Sequence, residues 1–163
     1  PEVTAIENLY QFIKSVYFRK LKKLLGIYGL KDTAKEVWQD REKYGIKGIV
    51  DLLDYLKIEC KDMNKILSDE LSDFVLYIIL NKVRNVREVK EGFSIRSVCI
   101  KYIGMNARYC GYIEYDFQFW RHLSLIQSTA GVTVSYSIKS DVMKITDNII
   151  SGDQMRIDSL KNV

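Results

Sequence analysis

Apolar residues change period near Asn85, and this constrains the fold more than any other feature of the chain. Before it they recur every three to four positions, as on amphipathic helices; from Gly92 onward they alternate with polar ones, as on half-buried strands. The pattern predicts one α+β domain over residues 1–163, with N-terminal helices (1–85) packed on a C-terminal antiparallel sheet (92–160). A chain of this length buries roughly 70% of its unfolded surface, so neither disulfides nor a structural metal is needed for stability.

Thr4 to Leu25 reads as one helix, with Thr4 and Glu7 in the capping-box relation and Gly26 and Gly29 as its stop. Thr33 and Glu36 repeat that relation at the head of a second helix carrying Ala34, Val37, Trp38 and Arg41. Gly45 and Gly48 mark either its end or a kink before Ile49, Leu52, Leu53 and Leu56, with two helices meeting at Gly45 preferred. Ile66, Leu67, Leu71, Phe74, Val75, Ile78 and Ile79 then form a stripe wide enough to face a core or a partner subunit. In the second half, Phe93, Ile95, Val98, Ile100 and Tyr102 read as a strand with a slip at Arg96-Ser97, and Gly104 to Asn106 as a turn. Tyr109 to Tyr115 fits a second strand or the opening of a helix, and Asp116 to Thr129 fits either element. Val132, Val134, Tyr136 and Ile138 alternate most cleanly, and Met143–Ile150 with Met155–Leu160 read as a closing antiparallel pair turned at Ser151-Gly152-Asp153.

The net charge of +4 is mild. Lys14, Arg19, Lys20, Lys22 and Lys23 stand on the first helix beside Tyr10, Phe12, Tyr17 and Phe18, the raw material of a surface for nucleic acid or an anionic membrane. An ordinary amphipathic helix explains the same residues. A nucleic-acid protein would extend its basic stripe over several elements, so the sequence argues against nucleic acid. No apolar run reaches the ~18 residues of a membrane span. Cys60, Cys99 and Cys110 are odd in number and lack CxxC spacing, and no signal-like segment opens the chain, which together suggest a cytoplasmic setting.

His122 is the only histidine. A nucleophilic pair would use it as base for Cys110 or Cys99, and a metal site would draw on Cys99, Cys110 and His122, but their spacing signals neither. No dinucleotide, Walker, zinc-protease or serine-hydrolase motif occurs, and no cofactor is identified. The aromatic residues are more suggestive: Tyr109, Tyr112, Tyr115, Phe117, Phe119 and Trp120 fall within one short stretch. Apolar walls with polar tips suit a small-molecule cavity. Tyr109, Tyr112, Tyr115 and Trp120, with Phe74 and Ile78, are the candidate wall, and Arg108, Arg121 and His122 would hold a ligand's anionic or carbonyl end. A plain aromatic core accounts for the same letters.

Cys110-Gly111 before a strand-like stretch, and an ending in which a strand leads to Gly152-Asp153-Gln154-Met155 and a last strand, resemble the 4-vinyl reductase family of small-ligand-binding domains, loosely over Gly92 to Leu160. That family closes with a cysteine, a Gly-Asp turn and a second cysteine three residues after the Gly. Here Gly152 and Asp153 stand in the turn, Met155 takes the second cysteine's position, and Asn148 or a neighbour the first. Losing both cysteines puts any metal or thiol role in doubt and leaves ligand binding. The resemblance implies a fold similar to 4-vinyl reductase and TRAPP domains, a cavity for a hydrophobic, tetrapyrrole-like or hydrocarbon molecule, and a homodimer. It does not imply vinyl reduction, because no nicotinamide or flavin motif would supply the electrons. The expectation is therefore a binding or sensing domain for an apolar small molecule, with a thiol enzyme or a homodimeric assembly protein as alternatives.

Overall fold

The computed structural model describes residues 3–59, 61–125 and 134–156. Its elements run α1 (Val3–Ile27), α2 (Lys31–Gln39), α3 (Ile49–Glu59), α4 (Lys61–Ser72), β1 (Val75–Val83), α5 (Val86–Val98) with a π-helical extension (Cys99–Ile103), β2 (Asn106–Glu114), α6 (Phe117–Leu125) and α7 (Tyr136–Ser151). β1 and β2 pair in parallel, so the α+β class holds while the sheet is parallel rather than antiparallel. Internal contacts divide the chain into two units, Pro1–Val75 with Val98–Asn106 and Leu76–Ser97 with Ala107–Val163.

The first unit is built on α1, whose Ile13, Tyr17, Leu21 and Leu24 recur at helical spacing and are buried. α1 ends where Gly29 takes φ +69°: the Leu30 N–H donates to the Leu25 carbonyl (2.8 Å) and the Gly29 N–H to Gly26 (3.4 Å), satisfying two carbonyls the helix would leave open. α2 ends at Gln39, and in the turn that follows, Gly45 (φ +67°) redirects the chain towards α3. There Asp51 reaches back to accept from the backbone N–H groups of Lys47 (2.8 Å) and Gly48 (3.0 Å). Leu52, Leu53, Leu56, Leu67 and Leu71 complete this core, and the Tyr17 hydroxyl donates to the Gly104 carbonyl at 3.0 Å.

In the second unit β1, α5 and β2 form a strand–helix–strand crossover. Its packing depends on a notch: Gly92, midway along α5, lies directly against the Tyr109 ring of β2, where a Cβ would overlap the ring carbons. Phe93 meets the same ring edge-on, with centroids 4.9 Å apart and planes at 86°. At Gly111 (φ +143°) β2 comes so close to α7 that an added Cβ would stand 2.9 Å from Ile145 Cγ1.

Several elements differ from the sequence expectation. The apolar stripe from Ile66 to Ile79 is two elements: α4 stops at Ser72, and Phe74, Val75, Ile78 and Ile79 lie at or within β1. A continuous apolar run does not distinguish a buried strand from a buried helix by period, and Val, Tyr and Ile prefer the strand. Near Asn85 a change of period does occur, in the opposite sense: strand before it, helix after it. Asn85 Oδ1 caps α5 by accepting from the Glu88 N–H (3.1 Å), while Glu88 accepts from the Arg84 N–H (2.9 Å). Phe93 to Tyr102 is therefore helical; the buried face is Val89, Gly92, Ile95 and Cys99. Gly104 does turn the chain (φ +71°), and Tyr109 to Glu114 is strand.

The strand expected at Val132 to Ile138 gives way to α7 from Tyr136, with the Ser135 hydroxyl accepting from the Ile138 N–H, while residues 132 and 133 lie outside the described residues. Met143 to Ile150 is likewise helix, because Ile138, Asp141 and Ile145 bury one face at helical spacing. Gly152 (φ +72°) terminates that helix rather than turning a hairpin, and residues 157–160 of the expected last strand fall outside the described residues. The second helix starts at Lys31, so Thr33 and Glu36 lie inside it and do not cap it.

Gly92→Ala tests the notch. Alanine would gain about 1 kcal/mol of helix propensity over glycine, but overpacking costs typically 1–3 kcal/mol, and a clash with a fully buried ring takes the upper end. We expect a net loss of thermal stability in the native background and none in a Tyr109→Leu background, read by circular-dichroism melts; equal effects in both would show that the ring is not what Gly92 accommodates.

Candidate functional site

Two clefts in the second unit share Tyr112 as a wall. The first, of about 520 Å³, is lined by β2 at Cys110 to Tyr112, by α7 and by residues 153–156. Asn148 Nδ2 donates to the Cys110 carbonyl (2.8 Å) and the Met155 N–H to the Tyr109 carbonyl (2.8 Å), so α7 and the segment after it both take up backbone acceptors of β2. Asp141 is only 8% exposed and accepts from the Glu114 N–H at 3.0 Å. Burial pushes its carboxyl above the ordinary carboxylate value; the hydrogen bond from the Glu114 N–H opposes the rise, the Glu114 charge adds to it, and Lys144 opposes it. At the end of α7 the Arg108 guanidinium occupies the space a Gly152 side chain would need, placing a cation at the helix carboxyl terminus, where the dipole favours one.

The second cleft, of about 500 Å³, lies at the carboxyl ends of β1 and β2 and the start of α5, lined by Val83, Arg84, Asn85, Val86, Val89, Tyr112, Glu114 and Tyr115. The Tyr115 N–H donates to the Val83 carbonyl at 2.8 Å and closes this end of the sheet. Arg84 stands over the Tyr115 ring, 4.8 Å from its centroid, and Lys82 Nζ over the Trp120 ring at 4.0 Å. Lys82 has φ +60°, a left-handed backbone that a lysine rarely adopts. Trp120 Nε1 is buried with no acceptor among the described residues. Asp116 caps α6 by accepting from the Phe119 N–H (3.0 Å), and that hydrogen bond lowers its pKa.

The residues singled out from the sequence are thus distributed. Tyr112 and Tyr115 line the second cleft, and Tyr112 also the first. Tyr109 is fully buried core, its phenol pushed well above the ordinary value by burial. Ile78 is buried on β1, and Phe74 belongs to the first unit, its ring 6.4 Å from that of Tyr17. His122 and Arg121 fall on α6; the His122 side chain lies outside the described ones. Cys99 belongs to the first unit and Cys110 to the second; both are buried, and burial raises both thiols. Cys60 lies outside the described residues, and among those described no three His, Cys, Asp or Glu side chains gather to hold a metal ion. Arg84, which stands beside both Tyr115 and the cap of α5, is the residue that sequence reasoning missed; Asn85 and Glu88 in capping-box spacing were the available signal. No family model, curated protein or solved structure matches the chain. Among the described residues, no helix is long and apolar enough to cross a membrane.

Two measurements follow. Because the reactive species is the thiolate, peptides containing Cys99 and Cys110 should remain unmodified when the native protein meets iodoacetamide at pH 7 and be modified in urea; rapid native labelling of either would expose an activated thiol. For Asp141 the folded pKa exceeds the unfolded one, so the folded state binds the proton more tightly, and stability falls as pH rises from the unfolded value of about 3.8 through the folded value. Asp141→Asn should remove that downward component from the stability-against-pH curve while leaving an acceptor for the Glu114 N–H. An unchanged slope would mean the carboxyl is not desolvated.

Proposed function

We propose that the chain is a binding domain for a small molecule with a flat apolar body and an anionic or carbonyl end, held in the cleft at the carboxyl ends of β1 and β2. The observation that carries this reading is the meeting of topology and side chains. In open parallel α/β sheets ligands bind beyond the carboxyl ends of the strands, and the cleft lies at that edge of β1 and β2. In this chain that cleft presents two tyrosine rings, a guanidinium and the Glu114 carboxylate. Its volume of about 500 Å³ lies within the range of roughly 300–1,000 Å³ that small-molecule sites occupy.

The electrostatics favour an acceptor group on the ligand. Arg84 and Lys82 both stand at this end of β1. Glu88 is engaged with the α5 cap, and Glu114, which also lines the cleft and accepts from the Ser137 hydroxyl at 3.0 Å, brings negative charge there, so the ligand's acceptor end belongs on the Arg84 side. The left-handed backbone at Lys82 adds to the case, since such strain costs roughly 1–3 kcal/mol and concentrates where function requires it. Ligand binding is also the role implied by the resemblance to 4-vinyl reductase domains. The buried, raised thiols weigh against the alternative of a cysteine nucleophile.

The test uses 1-anilinonaphthalene-8-sulfonate, a flat anionic fluorophore, titrated into the folded protein. Saturable one-to-one binding is expected, weakened at least tenfold by Arg84→Gln and by Tyr115→Ala in variants whose melting curves match the parent. Absence of saturable binding, or equal affinity in both variants, would overturn the reading.

A further inference from the structure

α1 presents two faces. One is the buried row of Ile13, Tyr17, Leu21 and Leu24. On another face, residues 12, 16, 19, 23 and 27 follow one another at intervals of four, three, four and four, which aligns them along the helix. They are Phe12, Val16, Arg19, Lys23 and Ile27, all exposed, and Phe12 and Ile27 are 66% and 63% so. Towards the carboxyl end of α1 this row borders a groove of about 510 Å³ lined by Arg19, Lys22, Lys23, Gly26, Ile27 and Lys31.

The charge is as localised as the apolar surface. Of the chain's 25 basic and 21 acidic side chains, α1 carries five basic and one acidic, so the net charge of +4 resides on this helix and the remainder balances. Lys20 is paired with Glu70 at 3.1 Å; the groove's own lining contains no acidic residue. Such a surface needs a partner that accepts apolar side chains and supplies negative charge at the same place.

From this complementarity we propose that the outer face of α1 docks on an anionic lipid surface, with Phe12, Val16 and Ile27 entering the headgroup boundary and Arg19, Lys22, Lys23 and Lys31 meeting lipid phosphates. Helices that lie in a bilayer interface combine apolar side chains with lysines and arginines; here Arg19 and Lys23 stand within the apolar row, and their long stems carry the charge to the level of the phosphates. A second copy of the chain would bring like charges together across the contact. Nucleic acid would engage the cations but offers no apolar phase for Val16 and Ile27. The inference concerns the first unit and is independent of the ligand cleft.

Co-sedimentation with vesicles of 70% phosphatidylcholine and 30% phosphatidylserine should retain the protein, with at least tenfold less bound to pure phosphatidylcholine and a steep loss in 0.5 M KCl. Lys22→Glu with Lys23→Glu should abolish binding, and Phe12→Ser with Ile27→Ser should weaken it at least fivefold with unchanged melting curves, since all four side chains are exposed. Equal binding to both vesicle types, or indifference to the Phe12 and Ile27 changes, would overturn the proposal. So would failure to bind vesicles while a 20-nucleotide DNA binds through the same lysines, which would assign the face to nucleic acid.

Discussion

The second unit depends on the contact between the Tyr109 ring and the bare backbone of Gly92. A helix and a strand approach closely only if one of them gives up volume, and α5 does so by carrying no side chain where β2 carries a phenol. Burying an aromatic ring contributes more than any other single side chain in such a core, and the edge-on Phe93 adds roughly 0.5–1.5 kcal/mol beyond area. With α5 seated on β2, its capped first turn at Asn85 is brought to the carboxyl ends of both strands, where Arg84, Tyr112 and Tyr115 meet. The candidate site is thus a consequence of a packing contact that does not itself touch the cleft. Gly111 plays the same part on the other element, letting α7 close on β2 through Ile145.

These glycines also explain where the sequence was hard to read. α1 was legible because Gly29 marks its end in the way left-handed caps require, although Tyr17, grouped from the sequence with the basic surface, is fully buried on its inner face. α5 was not, since one position of its buried face is the glycine that receives Tyr109, and an apolar count cannot register a hole. The eye then follows Phe93, Ile95, Val98, Ile100 and Tyr102, which alternate, although Ile100 and Tyr102 are exposed. For α7 the difficulty is a buried acid: Asp141 occupies the inner face between Ile138 and Ile145, so the helical period is broken in hydropathy while intact in space. β1 was masked by its continuity, six apolar residues from Val75 to Leu80 that extend the pattern of α4 without a visible break.

The candidate site was half visible for a similar reason. Tyr112 and Tyr115 were singled out for their chemistry and do line a cleft, whereas Tyr109, three positions earlier, is core. All three are tyrosines on or beside one strand, and alternation alone does not say which face of a sheet a helix will cover. Phe74 and Ile78 were joined to them by a helix that ends before either residue. Arg84 escaped notice because a basic residue in a loop carries no signal until the loop's position at the sheet's carboxyl edge is known.

The sequence by itself determined the mixed α+β class, α1 with its glycine stop, the turn at Gly104, and the concentration of net charge on the first helix, and it left Tyr109 to Tyr115 open between strand and helix. These are set by local chemistry: spacing along a helix, the freedom of glycine at positive φ, and the count of charges. Only the tertiary structure decided the sense of the change at Asn85, the parallel pairing of β1 with β2, and the choice between core and cleft for each tyrosine. Those depend on which backbone another element can approach, and close approach is governed by volume left empty at Gly92 and Gly111. An empty volume belongs to a pair of elements, and no single stretch of sequence contains it.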